Sequence, residues 1–265
     1  MPPWSLISPA SRGIGFALAR RVLQTTNAPV VATARNDLDK TKEELLDGLG
    51  VDEKRLSVLK LDVLDEQTIA AAAAACKNQF SGTDSHLQLA LMVPGILFPE
   101  KSPAQINADD ALLTFGTNTL GPMLMLKHFS PFLPRKSHSI DRDQEDMKGL
   151  PGVATTAIMS ARVGSIGDNR LGGWYSYRAS KAGVNQTVKT FDNHLRTASG
   201  DNAMAVALHP GTVRTGLSKE FWGNVKKEKL FERDWVAERL IDVIQQVGVE
   251  GRGKCWDWDG KEVPP

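Results

Sequence analysis

The sequence predicts an α/β fold in which a single doubly wound, seven-stranded parallel sheet carries helices on both faces. Short apolar segments alternate with longer amphipathic segments along the chain, a pattern typical of repeated βαβ units. A loop containing glycine joins the first apolar segment to the first amphipathic one, as in doubly wound folds. The chain has 265 residues, 41% of them hydrophobic, and contains no linker-like segment. We therefore expect a single domain spanning residues 1–265.

Strands and helices are predicted in strict alternation. The strands are short and apolar, and are expected at residues 4–7, 29–34, 56–61, 87–92, 154–160, 203–209 and 254–258. The helices have apolar residues at helical spacing, and are expected at residues 14–24, 38–47, 66–79, 108–133, 175–196 and 235–247. The alanine run at residues 70–75 belongs to the third helix, because alanine is the best helix former.

Charge and cysteine content exclude several classes of protein. The 32 basic and 31 acidic residues give a formal net charge of +1, so no surplus of charge favours binding to nucleic acid or to an anionic membrane. The two cysteines, Cys76 and Cys255, are far apart in sequence, which argues against a disulfide framework or a thiolate metal site. The start of the chain has no cationic patch followed by an apolar run. We expect a cytoplasmic protein.

The loop after the first strand has the character of a phosphate-binding turn. It reads SPASRGIG over residues 8–15 and runs directly into an amphipathic helix. Such a turn directs backbone N–H groups and the positive end of the helix towards a pyrophosphate, and glycines let the phosphate approach. The predicted contacts are Ser8, Ser11, Arg12 and Ile14. The alternative is a helix start whose glycines serve only close packing.

The end of the second strand indicates which dinucleotide would bind. An acidic side chain at this position accepts hydrogen bonds from a plain ribose. Here the strand ends in Arg35 and Asn36, with no carboxylate at its tip. Arg35 and Arg12 together offer two guanidinium groups, which suit a 2′-phosphate. The sequence therefore predicts NADP(H) rather than NAD(H).

A tyrosine and a lysine form the predicted reacting centre. Tyr177 and Lys181 are four residues apart at the start of a predicted helix, so they share one helical face. A phenol with a pKa near 10 is a poor acid or base at neutral pH. A nearby ammonium group would favour the phenolate and lower that pKa.

In combination, these motifs resemble the short-chain dehydrogenase/reductase family, a Rossmann-fold family. Within it, the GSIGD sequence at residues 164–168, GGWYSYRASK at 172–181 and the closing DGKEVP at 259–264 are similar to the C-factor-like and sniffer-like carbonyl reductases. The resemblance covers essentially the whole chain. It implies a small-molecule carbonyl or alcohol substrate and does not indicate which one.

The resemblance assigns roles to three side chains of the reacting centre. Tyr177 would donate the proton in carbonyl reduction, or accept it in alcohol oxidation. Lys181 would hold the nicotinamide ribose and lower the pKa of the tyrosine. Asn118 matches the family's asparagine that steadies a water in a proton relay through the lysine.

The resemblance also implies further cofactor contacts. They are Asp62, Val63, Gly95, Pro210, Val213 and Thr215. The pair that ends the third strand, Asp62 and Val63, matches residues that contact adenine. After the sixth strand, the backbone at Val213 and the hydroxyl of Thr215 match positions that meet the nicotinamide amide or the phosphates.

Two departures from the family pattern are structural. Pro9 stands at the first glycine of the phosphate loop, where it removes an N–H group and restricts φ. After the fourth strand, residues 92–95 read MVPG in place of Asn-Asn-Ala-Gly, so packing must replace the hydrogen bonds of the asparagines. We expect cofactor binding to survive both changes.

The third departure concerns the chemistry. Ala161 stands where the family has its catalytic serine, and losing one such hydrogen-bond donor costs roughly 10²- to 10³-fold in rate at comparable sites. Ser160 is adjacent but is expected to face the interior, because alternate residues of a strand point in opposite directions. Ser165 and Tyr175 are better candidates to replace the missing hydroxyl.

Two further interpretations concern residues around the site. Residues 216–235 lack a strong period and carry Phe221 and Trp222 beside several lysines, which fits either a plain loop with a short helix or a flap over the substrate. No metal site is expected, because no two histidines of the sequence have the spacing of metal ligands. The five histidines are His86, His128, His138, His194 and His209.

Three functions follow from these observations. The first is an NADP(H)-dependent carbonyl reductase or alcohol dehydrogenase. The second is a degenerate dinucleotide-binding sensor or partner-binding protein, and the third is a dehydratase or isomerase without net redox change. Ala161 motivates both alternatives. By resemblance, a homodimer or homotetramer is expected to form through the helices at residues 108–133 and 175–196.

Overall fold

The computed structural model describes residues 1–81 and 85–265. Its main sheet has the strands β1 (Pro3–Ser8), β2 (Val30–Ala34), β3 (Leu56–Lys60), β4 (His86–Met92), β5 (Ala154–Met159), β6 (Ala203–His209), β9 (Cys255–Asp257) and β10 (Glu262–Val263). Their order across the sheet is β10-β9-β6-β5-β4-β1-β2-β3. A separate pair consists of β7 (Thr212–Val213) and β8 (Leu230–Phe231).

The sequence predicted the seven parallel strands and missed the eighth. All neighbours in the sheet run parallel except β10, which pairs antiparallel with β9. A tight turn folds β10 back, with Gly260 at φ 72°, a value that favours glycine. Asp257 Oδ1 accepts hydrogen bonds from the backbone N–H groups of Asp259 at 3.0 Å and Lys261 at 2.9 Å. A strand of two residues is too short to show a period in the sequence.

The helices cover both faces of the sheet. They are α1 (Gly13–Thr25), α2 (Leu38–Leu46), α3 (Glu66–Gln79), α4 (Ala108–Phe115), α5 (Gly121–Phe129), α6 (Tyr175–Ala198) and α7 (Arg233–Val247). One apolar core joins one face of the sheet to α3, α5 and α6. A second core joins the other face to α1, α2 and α7. None of the helices in the described parts of the chain is long and apolar enough to cross a bilayer.

The long helix predicted at residues 108–133 is interrupted, which is a correction to the sequence prediction. A π-helical segment, Gly116–Leu120, separates α4 from α5, and a 3-10 turn at Ser130–Phe132 follows α5. Gly121 packs against the loop that precedes α3, where a Cβ added at Gly121 would lie 2.7 Å from the Cβ of Val63. Pi-helical insertions frequently occur at functional sites, and this one contains Asn118.

The strand order places a crevice at the carboxyl ends of β1 and β4. The strands β2 and β3 lie on one side of β1 in the sheet. The chain then crosses over, and β4, β5 and β6 lie on the other side of β1. The last residues of the two central strands, Ser8 and Met92, are paired in register. Ligands of open α/β sheets bind at such a switch point.

Candidate active site

The loop after β1 is shaped for close approach of an anion. Gly13 has φ 62°, and a Cβ at Gly15 would lie 1.9 Å from the carbonyl oxygen of Pro9, so neither position accepts a larger residue without a shift. The first turn of α1 has no acidic residue and no side-chain cap. Its leading N–H groups are thus free to bind a ligand.

The predicted contacts of this loop differ in accessibility. Ser8 is buried, and Thr33 Oγ1 donates to its hydroxyl at 2.7 Å, so Ser8 joins β1 to β2 within the core. Ser11 and Arg12 are exposed and Ile14 is half-buried. Ser11 and Arg12 open onto a cleft of about 700 Å³ between α1, α2 and the start of α7.

The end of β2 presents polar side chains to solvent. Arg35 and Asn36 are both exposed, and neither side chain forms a hydrogen bond or an ion pair within the described residues. Arg12 is likewise free of such partners in the described parts of the chain. The two guanidinium groups therefore remain available to an anionic ligand at the carboxyl edge of the sheet.

Tyr177 and Lys181 are both buried, near the start of α6. Tyr177 is 8% exposed and Lys181 is 2% exposed, and Lys181 Nζ lies 5.7 Å from the centre of the tyrosine ring. Lys181 Nζ donates to the carbonyl oxygen of Met159 at 2.7 Å. The lysine thereby ties α6 to the end of β5.

Burial controls the protonation of this pair. Desolvation raises the pKa of Tyr177 to about 12 and lowers the pKa of Lys181 to about 8, because a buried site disfavours the charged form of each group. The sequence predicted that Lys181 would lower the pKa of the tyrosine. Burial instead moves the pKa of Tyr177 upwards, and no hydrogen bond joins the two side chains.

Asn118 connects three elements through its side chain. Its Oδ1 accepts from the N–H of Ile96 at 2.9 Å, and its Nδ2 donates to the carbonyl oxygen of Ile96 at 3.0 Å and to Ser180 Oγ at 3.0 Å. It thus holds the segment after β4 against α6. Gly95 lies in this segment, where an added Cβ would lie 3.8 Å from Lys181 Nζ. Asn118, Gly95 and Lys181 therefore belong to one site.

The remaining predicted cofactor residues line the same edge of the sheet. Asp62 Oδ1 accepts from the N–H of Leu64 at 3.0 Å, and Val63 packs against Gly121. Pro210 is buried directly after β6, and Val213 belongs to β7. A Cβ added at Gly13 would lie 3.7 Å from the methyl carbon of Thr215. The segment after β6 therefore lies against the loop after β1.

Two of the three hydroxyls considered as substitutes at Ala161 are already engaged. Ser160 Oγ donates to Asn185 Oδ1 at 2.6 Å, so Ser160 faces the interior, as alternation along the strand predicted. Ser165 Oγ accepts from the N–H of Asp168 at 3.0 Å and donates to the carbonyl oxygen of Pro265 at 3.3 Å. Tyr175 is 40% exposed.

Sequence reasoning missed two residues beside Tyr177. Trp174 has φ 51°, rare for a bulky residue, and its ring meets the Tyr177 ring edge-on at 6.1 Å. Glu100 is buried, and its carboxylate accepts from Ser176 N at 2.7 Å and Ser176 Oγ at 2.6 Å. The glycine pair before Trp174 signalled an unusual turn. Nothing in the local sequence connects Glu100 to α6.

The segment predicted as a flap reaches the reacting centre. Phe221 contacts the Trp174 ring with centroids 5.0 Å apart, and Leu217 Cδ1 would lie 3.7 Å from a Cβ on Gly95. Trp222 Nε1 donates to Ser218 Oγ at 2.9 Å, and Ser218 Oγ donates to the carbonyl oxygen of Val213. The segment contains two 3-10 turns, Lys219–Asn224 and Lys227–Lys229. Within residues 1–81 and 85–265, no group of three or more His, Cys, Asp or Glu side chains is arranged to hold a metal.

Comparisons with known proteins show which family the chain resembles over its length. A family model described as enoyl-(acyl carrier protein) reductase matches residues 10–248. A 1-hydroxy-2-glutathionyl-2-methyl-3-butene dehydrogenase of Rhodococcus sp. (strain AD45) is 27% identical over 256 residues, which cover 96% of each chain.

Solved structures extend the likeness to three dimensions. The NADPH-bound carbonyl reductase from chicken fatty liver is 27% identical, with a TM-score of 0.81 and 98% of each chain covered. Carbonyl reductase Sniffer of D. melanogaster is 22% identical, with a TM-score of 0.79 and coverage of 100% of this chain and 99% of the other; it supports the fold alone. The family model spans most of the sequence, and the chain therefore belongs to the short-chain dehydrogenase/reductase family of oxidoreductases.

Proposed function

We propose that this chain is an NADP(H)-dependent oxidoreductase of the carbonyl reductase or alcohol dehydrogenase type. The observation that carries the proposal is the buried Tyr177, with Lys181 and Asn118 beside it, at the carboxyl edge of a doubly wound sheet. The chicken relative's bound NADPH and the activity named for the Rhodococcus relative support the cofactor class and the reaction class.

The residues at the carboxyl edge fit a dinucleotide phosphate. Uncapped N–H groups at the start of α1 and the close approach at Gly15 suit a pyrophosphate. Arg12 and Arg35 would hold the 2′-phosphate, because both guanidinium groups are exposed and unpaired within the described residues. When bound, the nicotinamide supplies or accepts a hydride.

Tyr177 moves the proton in the proposed reaction. During reduction, hydride arrives at the carbonyl carbon, the electron pair of the C=O π bond moves to oxygen, and Tyr177 Oη gives that oxygen its proton. Oxidation of an alcohol is the reverse. By resemblance to the family, Lys181 would hold the nicotinamide ribose and would return a proton to Tyr177 through a water steadied by Asn118, which lies in the π-helical segment.

Two variants test the reaction and the cofactor preference. We expect the wild-type protein to consume NADPH with members of a panel of ketones and quinones, and Tyr177→Phe to lose at least 10²-fold in kcat. Equal rates in the two proteins would contradict the proposal. Replacing both Arg12 and Arg35 by Ala should weaken binding of NADPH much more than binding of NADH.

Ala161 favours a second candidate function. A chain that lacks the usual hydroxyl fits a dinucleotide-binding sensor, or an enzyme that dehydrates or isomerises its substrate without net redox change. Tight NADPH binding with no turnover supports the sensor. Product formation without a change in cofactor absorbance supports the non-redox enzyme.

We also propose that the chain forms a homodimer or homotetramer through α6 and through the region that comprises α4, the π-helical segment and α5. Leucine and methionine side chains are exposed there, with Leu112 71%, Leu120 51% and Met123 47% accessible, more than a solvated helix face normally presents. A dimer or tetramer mass in light scattering supports this arrangement, and a monomer mass at micromolar concentration rejects it.

A further inference from the structure

We infer that the indole N–H of Trp174 donates the second hydrogen bond to the substrate oxygen, in the role left vacant by the absent hydroxyl at Ala161. The inference rests on the proposed carbonyl reduction, in which negative charge develops on that oxygen. Tyr177 provides one hydrogen bond to it. A second donor held in place at this point is worth roughly 10²- to 10³-fold in rate.

The hydroxyls around Tyr177 are already committed to other partners. Ser160 is bound to Asn185 and Ser165 to Pro265. Ser180 Oγ donates to the carbonyl oxygen of Tyr177 at 2.8 Å and accepts from Asn118. Each would have to break an existing hydrogen bond to serve a substrate, and leaving the former partner unpaired inside the protein costs about 1–3 kcal/mol.

Tyr175 is also poorly placed. It precedes Tyr177 by two positions on α6, which is roughly 200° around the helix axis. Its side chain therefore points away from the face that carries Tyr177 and Lys181, and 40% of the residue is exposed.

Trp174 has a donor with no protein partner. No hydrogen bond engages its indole N–H within the described residues, whereas the indole N–H of Trp222 is bound to Ser218. Its ring lies 6.1 Å from the Tyr177 ring at an angle of 81°. On its other side the ring contacts Phe221 of the flap. The ring of Trp174 thus contacts both the proposed proton donor and the segment predicted as a flap.

The surrounding structure holds Trp174 in place. Its backbone N–H donates to the carbonyl oxygen of Glu100 at 2.6 Å. Its φ of 51° is an unfavourable conformation that persists only where neighbouring contacts impose it, and such residues cluster at functional sites. The contacts of the ring with Tyr177 and Phe221 further limit its movement before the substrate arrives, and catalysis by a preformed donor requires a group held in this way.

In the proposed step, Trp174 keeps its proton. Hydride adds to the carbonyl carbon, the oxygen receives the π electron pair, and the proton comes from Tyr177. The indole N–H only stabilises the developing negative charge. The residue should therefore affect kcat more than KM.

The test combines removal of the N–H group with restoration of the hydroxyl. Trp174→Phe keeps an aromatic ring and removes the donor, and we expect kcat with an aryl ketone and NADPH to fall by roughly 10²-fold while NADPH binding and melting temperature stay close to wild type. Adding Ala161→Ser to that variant should recover at least tenfold. A purely structural role for the ring would show no such rescue.

A tryptophan elsewhere serves as the matched control. Trp256→Phe removes an indole N–H that is bound to the carbonyl oxygen of Gly251, away from the site, and should leave kcat within about threefold. An unchanged kcat in Trp174→Phe overturns the inference about Trp174 and leaves the proposed function standing. A loss of kcat that Ala161→Ser fails to rescue has the same consequence. A wild-type protein that turns over no carbonyl compound overturns the proposed function, and this inference with it.

Discussion

Burial favours the uncharged form of both Tyr177 and Lys181. Its effect is to raise the pKa of the phenol to about 12 and to lower the pKa of the ammonium group to about 8. In water these groups titrate near 10 and 10.4. Both shifts come from burial of the start of α6 against β5, whereas the spacing of four residues in the sequence reveals only that the two side chains share a face.

Lys181 should make the stability of the chain depend on pH. Below pH 8 both the folded and the unfolded chain hold the proton, and the folded chain bears the cost of a buried charge. Between about pH 8 and 10 the folded chain gives up that proton while the unfolded chain keeps it, so the free energy of unfolding rises with pH. We expect this contribution to be about 1–3 kcal/mol.

Urea unfolding at several pH values checks this contribution. Lys181→Met should be less sensitive to pH than the wild type across that interval, whereas Lys189→Met, at an exposed position of the same helix, should keep the wild-type slope. Identical slopes for the wild type and Lys181→Met would refute the assignment. Above pH 10 Tyr177 acts in the opposite sense, because the unfolded chain loses its phenolic proton first.

At the scale of elements, α6 begins without a cap of its own. Its N-cap residue, Trp174, provides no side-chain hydrogen bond. The carboxylate of Glu100, from the segment after β4, binds the N–H and hydroxyl of Ser176 instead. A negative charge at a helix N-terminus is favourable. The first turn that carries Tyr177 is therefore stabilised by a residue 76 positions away.

Removing this carboxylate should weaken the start of α6. We expect Glu100→Ala to lower the free energy of unfolding by about 1–2 kcal/mol, because it leaves buried donors unpaired. Glu100→Gln retains one acceptor and should lose less. Chemical denaturation measures both. The exposed Glu250 provides a control, since its change to Ala should have an effect below about 0.5 kcal/mol; equal losses at the two positions would argue against the capping role.

At the scale of the whole molecule, one buried ion pair joins three parts of the chain. Arg252, after α7, donates through Nε to Asp192 Oδ1 at 2.9 Å, and Asp192 on α6 also accepts from the N–H of Ala205 in β6 at 3.1 Å. Asp192 is fully buried and Arg252 is 5% exposed. The other nitrogens of Arg252 donate to the carbonyl oxygens of Gly200 and Ala203.

Breaking this pair should cost far more than breaking an exposed one. Asp192→Ala removes the buried carboxylate partner of a buried guanidinium group, and we expect it to lower the free energy of unfolding by about 3–5 kcal/mol. Asp201 pairs with the same arginine at 3.5 Å but its side chain is 84% exposed, so Asp201→Ala should cost less than about 1 kcal/mol. Equilibrium unfolding in urea compares the two, and comparable losses would contradict the account.

The sequence by itself determined the order of the elements and the residues that meet at the carboxyl edge of the sheet. The seven parallel strands, the loop at residues 8–15 and the Tyr177–Lys181 spacing could all be predicted from it. Periodicity, glycine placement and helix spacing are local properties. The carboxyl ends of parallel strands also lie on one edge of a sheet, so the residues after β1, β2 and β4 had to lie near one another.

Only the tertiary structure decided which polar groups are free to act. Contacts between distant residues engage the hydroxyls of Ser160 and Ser165. Such contacts also place the Glu100 carboxylate at the start of α6 and bring Trp174 against Phe221. The direction of the tyrosine pKa shift was likewise decided by burial. Hydrogen-bond partners and desolvation arise from packing in three dimensions, and a linear pattern does not contain them.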